Sequence, residues 1–345
     1  MNDPKSMRTP AEWETHEAVW LAVPHLRDEW GIYFEGARRE FLAFCKAIRG
    51  ERLEILTATE EDTRWIRAEL PEHSTTVHQQ AFGDIWVRDT GPVFSFSEGR
   101  LMGTCFQFNG WGGRYRFEGD EDLSSRISEL AEVPRRRIQL VIEGGALEQD
   151  GLGTLLTTRE CLLNENRNPS RNEHAIESLL INSFGAKKVV WFDRGLNNDH
   201  TDGHIDNLVR FVAPGKVVCM MPMNRDDPNY DVLRDIRKRL SQTRNVEGEL
   251  LEVIELPSPG RIETPCGTLL PASYCNFYIA NESVIVPSYG RPTDAEAVSI
   301  LAALFSDRTT LGLDATHILT GGGSFHCITQ QQPRVPRRQL NLEKT

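Results

Sequence analysis

Short apolar runs and amphipathic stretches take turns along the chain, the pattern of a protein built from alternating strands and helices. Residues 18–23 (Ala-Val-Trp-Leu-Ala-Val) have the length and continuity of a buried strand, closed by Pro24. Over 32–49 the period changes. Phe34, Ala37, Phe41, Phe44, Cys45 and Ile48 fall at helical spacing, and Gly50 stops the run. The same reading predicts helices over 59–69, 120–131, 171–183, 229–243 and 293–305, the last opened by Thr293 and Glu296 as a capping box. Strands are predicted over 52–57, 137–142, 186–192, 205–212, 216–221, 250–256, 277–280, 283–287 and 315–319. Of these, 208–212 and 216–220 face each other across Ala213, Pro214 and Gly215 as a hairpin.

A grouping of strand pair, helix and strand recurs roughly every 50–90 residues without repeated identity, which fits several equivalent α/β units about one centre. Periodicity alone fits an open α/β sheet equally well. No Pro- or Ser-rich linker divides the chain, so 1–345 reads as one α/β domain, with a polar C-terminal tail over about 331–345.

Composition narrows the partners. The 345 residues are 39% hydrophobic and 26% charged, as in an ordinary globular enzyme with a large core. With 39 Lys and Arg against 50 Asp and Glu the net charge is −11, and Arg135, Arg136, Arg137, Arg337 and Arg338 form only short basic clusters. No nucleic acid partner is expected, whereas a small cationic ligand suits the charge. No apolar run approaches membrane-spanning length, and the first residues lack the apolar segment of a secretory signal. Seven cysteines (45, 105, 161, 219, 266, 275 and 327), odd in number and without a Cys-x-x-Cys, read as free thiols in a reducing compartment, the cytoplasm.

Four segments carry candidate chemistry. Gly321, Gly322 and Gly323 precede Ser324-Phe325-His326-Cys327; consecutive glycines cost chain entropy unless the backbone needs them, and a Cys after such a loop is placed as a nucleophile. Its alternative is a buried Cys in a turn. In Asp199–Asn207, an extended chain would put His200, Asp202, His204 and Asp206 on one face. That fits a general acid/base His beside a carboxylate, a divalent metal site, or plain turn chemistry. In Trp86-Val87-Arg88-Asp89-Thr90-Gly91, Asp89 is either salt-bridged to Arg88 or grips a cation under the indole of Trp86. Glu143 stands beside Gly144 and Gly145 at a strand end, where a simple turn is the alternative.

Together these segments resemble the agmatine deiminase and bacterial peptidyl-arginine deiminase family, within the guanidino-modifying (pentein) superfamily. The likeness covers nearly the whole chain. It rests on Trp86–Pro92, Glu143-Gly144-Gly145, Cys161–Pro169, Asp202–Asn207, Ser273–Tyr278 and Gly321–Cys327, all in order. The resemblance implies a five-bladed α/β propeller with the site at its axis. It implies Cys327 as nucleophile, His204 as general acid/base, and Asp89 and Asp206 as the carboxylates that hold the guanidinium. Trp86 would line the pocket, and Glu143 and Asn276 would shape it. No metal or organic cofactor is implied, and such enzymes commonly form homo-oligomers. Where members often carry an acid four residues before the acid/base His, this chain has His200, with Asp199 beside it to meet the far end of agmatine. Arg114 and Arg116 would instead favour a carboxylate-bearing substrate, such as free or peptidyl arginine. Agmatine is the leading substrate. Arginine or another alkylguanidine, a metal-dependent hydrolase using His200, Asp202, His204 and Asp206, and a non-catalytic guanidine-binding protein are the competing readings. Asn109–Gly119, glycine-rich and charged, is the candidate loop to close over the site.

Overall fold

The computed structural model describes residues 7–336. It is a mixed α/β structure of five separate small sheets, and among the described residues none closes on itself. Four sheets share one construction: an antiparallel strand pair, a helix that crosses back, and a third strand parallel to the second. The first has strands Val93–Ser97 and Arg100–Gln107, helix Leu123–Leu130 and strand Arg135–Val141, with Met7–Arg8 added at its edge. The second runs through Glu148–Gln149, Thr154–Thr158, helix Glu173–Phe184 and Lys188–Phe192. The third runs through Val209–Ala213, Lys216–Met221, helix Tyr230–Leu240 and Glu252–Pro257. Tyr278–Ile279, Ser283–Ser288, helix Asp294–Leu304 and Thr309–Asp314 make the fourth.

The fifth is made from both ends of the chain. Gln330–Pro333 pairs antiparallel with His16–Ala22, and helix Phe34–Ala47 leads to the parallel strand Arg52–Thr57, with Thr75–Gln79 beyond it. The indole N–H of Trp20 donates to the Gln332 side chain at 2.9 Å. The predicted tail therefore does not begin at 331: polar as they are, Gln331 and Gln332 complete a ladder that covers an otherwise open strand edge. Residues 337–345 of that predicted tail lie outside the described residues.

Local chemistry accounts for the elements. Helix Phe34–Ala47 turns Phe34, Ala37, Phe41, Phe44 and Cys45 inward, as its spacing predicts. Thr59 and Asn172 cap their helices by accepting from Asp62 N and Ala175 N. Three expectations fail. Thr293 has helical backbone angles and caps nothing; its hydroxyl meets the Tyr274 hydroxyl instead, so the capping box does not form. Residues 315–319 are not a strand: Ile318–Gly321 is a 3-10 helix, its N–H groups at 317 and 318 held by the Glu40 carboxylate, and the strand lies earlier at Thr309–Asp314. A short apolar run fits either state, and the buried carboxylate decided it. Likewise the strand expected over 205–212 begins only at Val209, after a 3-10 turn at Ile205–Asn207. The hairpin Val93–Ser97/Arg100–Gln107, unpredicted, turns on Glu98 and Gly99, both at positive φ (49° and 80°), the geometry that matches strand twist.

Candidate functional site

The segments leading into the five antiparallel pairs converge. Asp89 lies just before Val93–Ser97, Glu143 before Glu148–Gln149, and Asp206 before Val209–Ala213; Asn276 precedes Tyr278–Ile279 and Cys327 precedes Gln330–Pro333. Gly145 reports how close they come. A Cβ there would meet His204 Nδ1 at 2.6 Å, Asp89 Oδ1 at 2.9 Å and Asp206 Oδ2 at 3.0 Å. Only glycine leaves the imidazole and both acids their places.

Asp89 is buried, and both oxygens are held: Gly145 N donates to Oδ1 and the Trp111 indole N–H to Oδ2, each at 2.9 Å. Burial, with Asp206 and Glu143 nearby, pushes its carboxyl above the usual range despite the opposing His204. Asp206 is fully buried. Its Oδ2 accepts from His326 Nδ1 at 2.8 Å, and no donor among the described residues reaches Oδ1. Burial would raise this carboxyl, but His326, His204 and Arg210 hold it below its ordinary value.

His204 stands between two carboxylates, Nδ1 3.7 Å from Asp89 and Nε2 3.5 Å from Glu143. Burial alone would lower its pKa; Asp89, Cys161 and Glu143 together carry it well above the ordinary value, which favours the protonated ring. Glu143 is held in turn by Arg167, whose Nε donates to both carboxylate oxygens at 3.0 Å, and Arg167 continues to Asp202 at 2.6 Å.

The Cys327 sulfur lies 3.6 Å from Asp206 Oδ2 and accepts from Asn276 Nδ2 at 3.0 Å. The Asn276 carbonyl oxygen accepts from the backbone N–H of His326 and Cys327, which fixes this turn. Burial, then Asp206 and Asp89, push the thiol well above its ordinary pKa. The three glycines have physical reasons. Gly322 needs φ of 101°, and a Cβ at Gly321 or Gly323 would strike the Trp86 ring at 2.6 or 2.7 Å.

Cys327 and Asp89 lie in a cleft of about 260 Å³ whose walls include Trp30, Trp86, Trp111, Tyr33, Tyr115 and Phe117. Trp30 and Trp86 stack with centroids 6.1 Å apart, and both indole N–H groups donate to Asp84. No Lys or Arg among the described residues lines it.

Other sequence expectations resolve differently. The chain over 199–206 is not extended: Asp202 and Gly203 take positive φ (63° and 88°), so His200, Asp202, His204 and Asp206 share no face. Asp202 is spent on Arg114, Asn166 and Arg167, which removes the proposed four-residue metal set. Asp199 is not in the cleft with Cys327. Its carboxylate accepts from the Thr201 backbone and hydroxyl, and it borders a neighbouring polar cavity. His200 does line the cleft, and burial lowers its pKa. Arg114 turns away to Asp202 and the His200 carbonyl, and Arg116 does not line the cleft, so neither offers a carboxylate partner there. The segment Asn109–Gly119 is tied down by Asn109, Trp111 and Arg114.

Glu143, Cys161 and His204 could converge on one ion, their ligand atoms within 4.8 Å. The Arg167 guanidinium already grips Glu143 through both oxygens, and its charge opposes a cation there. Sequence reading missed Trp111, Arg167, Cys161 and Glu12 as members of the site. His326 was noted only as a neighbour of Cys327; its ring bridges Asp206 and Glu12, both at 2.8 Å, and does not serve the thiol. Arg167 lay inside a matched segment, but nothing local pairs it with a glutamate 24 residues away.

A mixed α/β chain that sets a thiol and Asp89 in one cleft, with a caged imidazole and a second carboxylate, Asp206, buried beside them, has the makings of a hydrolase acting on guanidino groups. The comparisons agree. Residues 8–333 match the Porphyromonas-type peptidyl-arginine deiminase family, and the chain belongs to it. It is 37% identical to the agmatine deiminase of Pseudomonas aeruginosa (strain LESB58), with 96% of each chain covered. A solved structure of the agmatine deiminase of Enterococcus faecalis superposes with a TM-score of 0.91 at 32% identity, covering 97% of this chain and 99% of that one. DDAH from Pseudomonas aeruginosa, at 13% identity and a TM-score of 0.53 over 92% of this chain and 99% of that one, shares the fold.

Proposed function

We propose that the chain hydrolyses the guanidinium of agmatine to N-carbamoylputrescine and ammonia, with Cys327 as nucleophile, His204 as acid and base, and Asp89 and Asp206 holding the guanidinium. The observation that carries this reading is the cleft itself, which holds Cys327 and Asp89 between indole rings and, among the described residues, no lysine or arginine, with Asp206 buried 3.6 Å from the thiol. In the same reading the five sheets are the blades of a propeller around a pseudo-fivefold axis. The matching position of one site residue before each antiparallel pair supports that arrangement.

The chemistry follows from charge. Before substrate binds, burial and the charges of Asp206 and Asp89 favour the protonated thiol. A guanidinium between Asp89 and Asp206 neutralises them and places positive charge beside the sulfur, so the thiol releases its proton to solvent water and the thiolate is stabilised. The thiolate adds to the guanidinium carbon. Protonated His204 gives its proton to the departing nitrogen, ammonia leaves, and a thiouronium adduct remains. Neutral His204 then takes a proton from water as its oxygen attacks the carbon, and collapse of that adduct expels the thiolate and the ureido product. Glu143 and Arg167 keep His204 in place throughout.

Arginine, free or at a peptide terminus, is the second substrate class, because the family is named for it. The test is purified protein with agmatine, arginine and a peptide ending in arginine, followed by ammonia and ureido product. Turnover of agmatine above the others supports the proposal, and turnover of arginine alone overturns it. The seven free thiols fit a reducing compartment, and cell fractionation tests a cytoplasmic location.

A further inference from the structure

We propose that Glu29 is the residue that recognises the distal cation of the substrate, and so selects agmatine over guanidines that lack one. This rests on the reading of the site as an agmatine deiminase. The carboxylates lining the cleft are Glu29, Asp84 and Asp89, and they do not have the same freedom. Asp89 lies at the buried end beside Cys327 with both oxygens engaged. Asp84 is buried and already accepts from Trp30, Trp86 and its neighbour Ile85 N. Burial raises its carboxyl first, and the charge of Glu29 adds to that.

Glu29 differs from both. It is exposed where it lines the cleft, and among the described residues its side chain has no hydrogen-bond or ion-pair partner. The nearby cations are taken: Arg27 pairs with Glu35, and Arg38 with Asp62. On the sequence side, position 200 carries a histidine where the resemblance leads one to expect an acid, and burial lowers the pKa of that ring, so it offers no negative charge. The negative charge for a distal ammonium thus comes from a different segment, the short helix Arg27–Trp30. Trp30, the next residue, lines the cleft with Trp86, Trp111 and Tyr115, so the carboxylate borders an aromatic slot that suits a tetramethylene chain. A substrate charged at both ends would be held by Asp89 and Asp206 at one and Glu29 at the other. A substrate with a carboxylate near its ammonium, such as arginine, would bring like charge to Glu29.

The experiment compares agmatine with n-butylguanidine, which has the same chain and no ammonium, in wild type and Glu29→Gln. The ratio of kcat/KM for agmatine over butylguanidine falls about fivefold in the variant, mainly through KM. It falls further in Glu29→Lys, and added salt erodes the wild-type preference. Equal losses on both substrates, or an unchanged ratio, overturn the inference while leaving the deiminase reading intact. A wild type that turns over butylguanidine but not agmatine overturns both.

Discussion

Replacing Asp89 with asparagine separates what the site costs the fold from what it does for the substrate. The side chain keeps its shape, but one of its two donors, Gly145 N or Trp111 Nε1, must then face an amide NH2. Leaving such a donor unmet costs about 1–3 kcal/mol. Against this, ionised Asp89 is itself unfavourable: burial and the charges of Asp206 and Glu143 raise its carboxyl, so a neutral group relieves strain in the free protein. The two effects offset, and the melting temperature should stay within about 3 °C of wild type. The substrate sees only the loss. Removing one side of a buried charge pair costs about 2–5 kcal/mol, which at about 1.4 kcal/mol per decade lowers kcat/KM for agmatine by roughly 30- to 3,000-fold. Trp111→Phe, which removes one donor and keeps the charge, should lose about tenfold. Steady-state kinetics and differential scanning fluorimetry on the three proteins check the argument. A Asp89→Asn enzyme with normal stability and less than about a tenfold loss would show that no guanidinium is gripped there.

Cys327→Ser and His204→Ala should each abolish turnover, read as ammonia release. Alkylation by iodoacetamide is best followed in Cys266→Ser, because Cys266 is exposed and its hydroxyl neighbours lower its pKa. In that background Asp206→Asn should speed alkylation of Cys327 while slowing turnover, since Asp206 contributes to the raised thiol pKa; slower alkylation would refute the electrostatic account. Asp120 carries a carboxyl pushed up to about 7 by burial, from 3.8. The folded state therefore binds its proton more tightly than the unfolded chain, and stability falls as pH rises from about 4 through about 7, by at most about 4 kcal/mol. Asp120→Asn should gain stability over wild type above pH 7 in urea unfolding, the gain vanishing near pH 4; a constant offset would contradict this. Arg167→Met leaves Glu143 buried without its partner and should cost about 3–5 kcal/mol in the same assay. Adding Glu143→Gln should recover part of the stability and none of the activity.

Much of the fold was legible because burial writes a period into the sequence. Phe34 to Cys45 marked their helix, and Lys216–Met221 its strand. The failures occur where side chains act on backbone from far away. Glu40 accepts from the backbone N–H groups of 317 and 318 and holds the run 315–319 out of a strand across 277–278 residues of chain, and no window of the sequence contains both partners. Edge strands such as Thr75–Gln79 carry too little apolar pattern to announce themselves.

For the site, local chemistry marked the segments around Asp89, Glu143, Asp199–Asn207 and Cys327 as unusual but left a bland alternative at each, and the family resemblance alone pointed to Cys327, His204, Asp89 and Asp206 among them. What each one does there is a matter of distances. His326 is next to Cys327 in the sequence, yet the folded chain gives that ring to Asp206, 120 residues away, and to Glu12. It cages His204 between Asp89 and Glu143, turns Asp202 and Arg114 toward each other, and lines the cleft with a Glu29 side chain that has no partner among the described residues. A chain specifies which groups are available, through composition and short-range pattern. Which of them share a low-dielectric pocket, and with what charge, depends on contacts between remote segments, and only the assembled tertiary structure brings those into range.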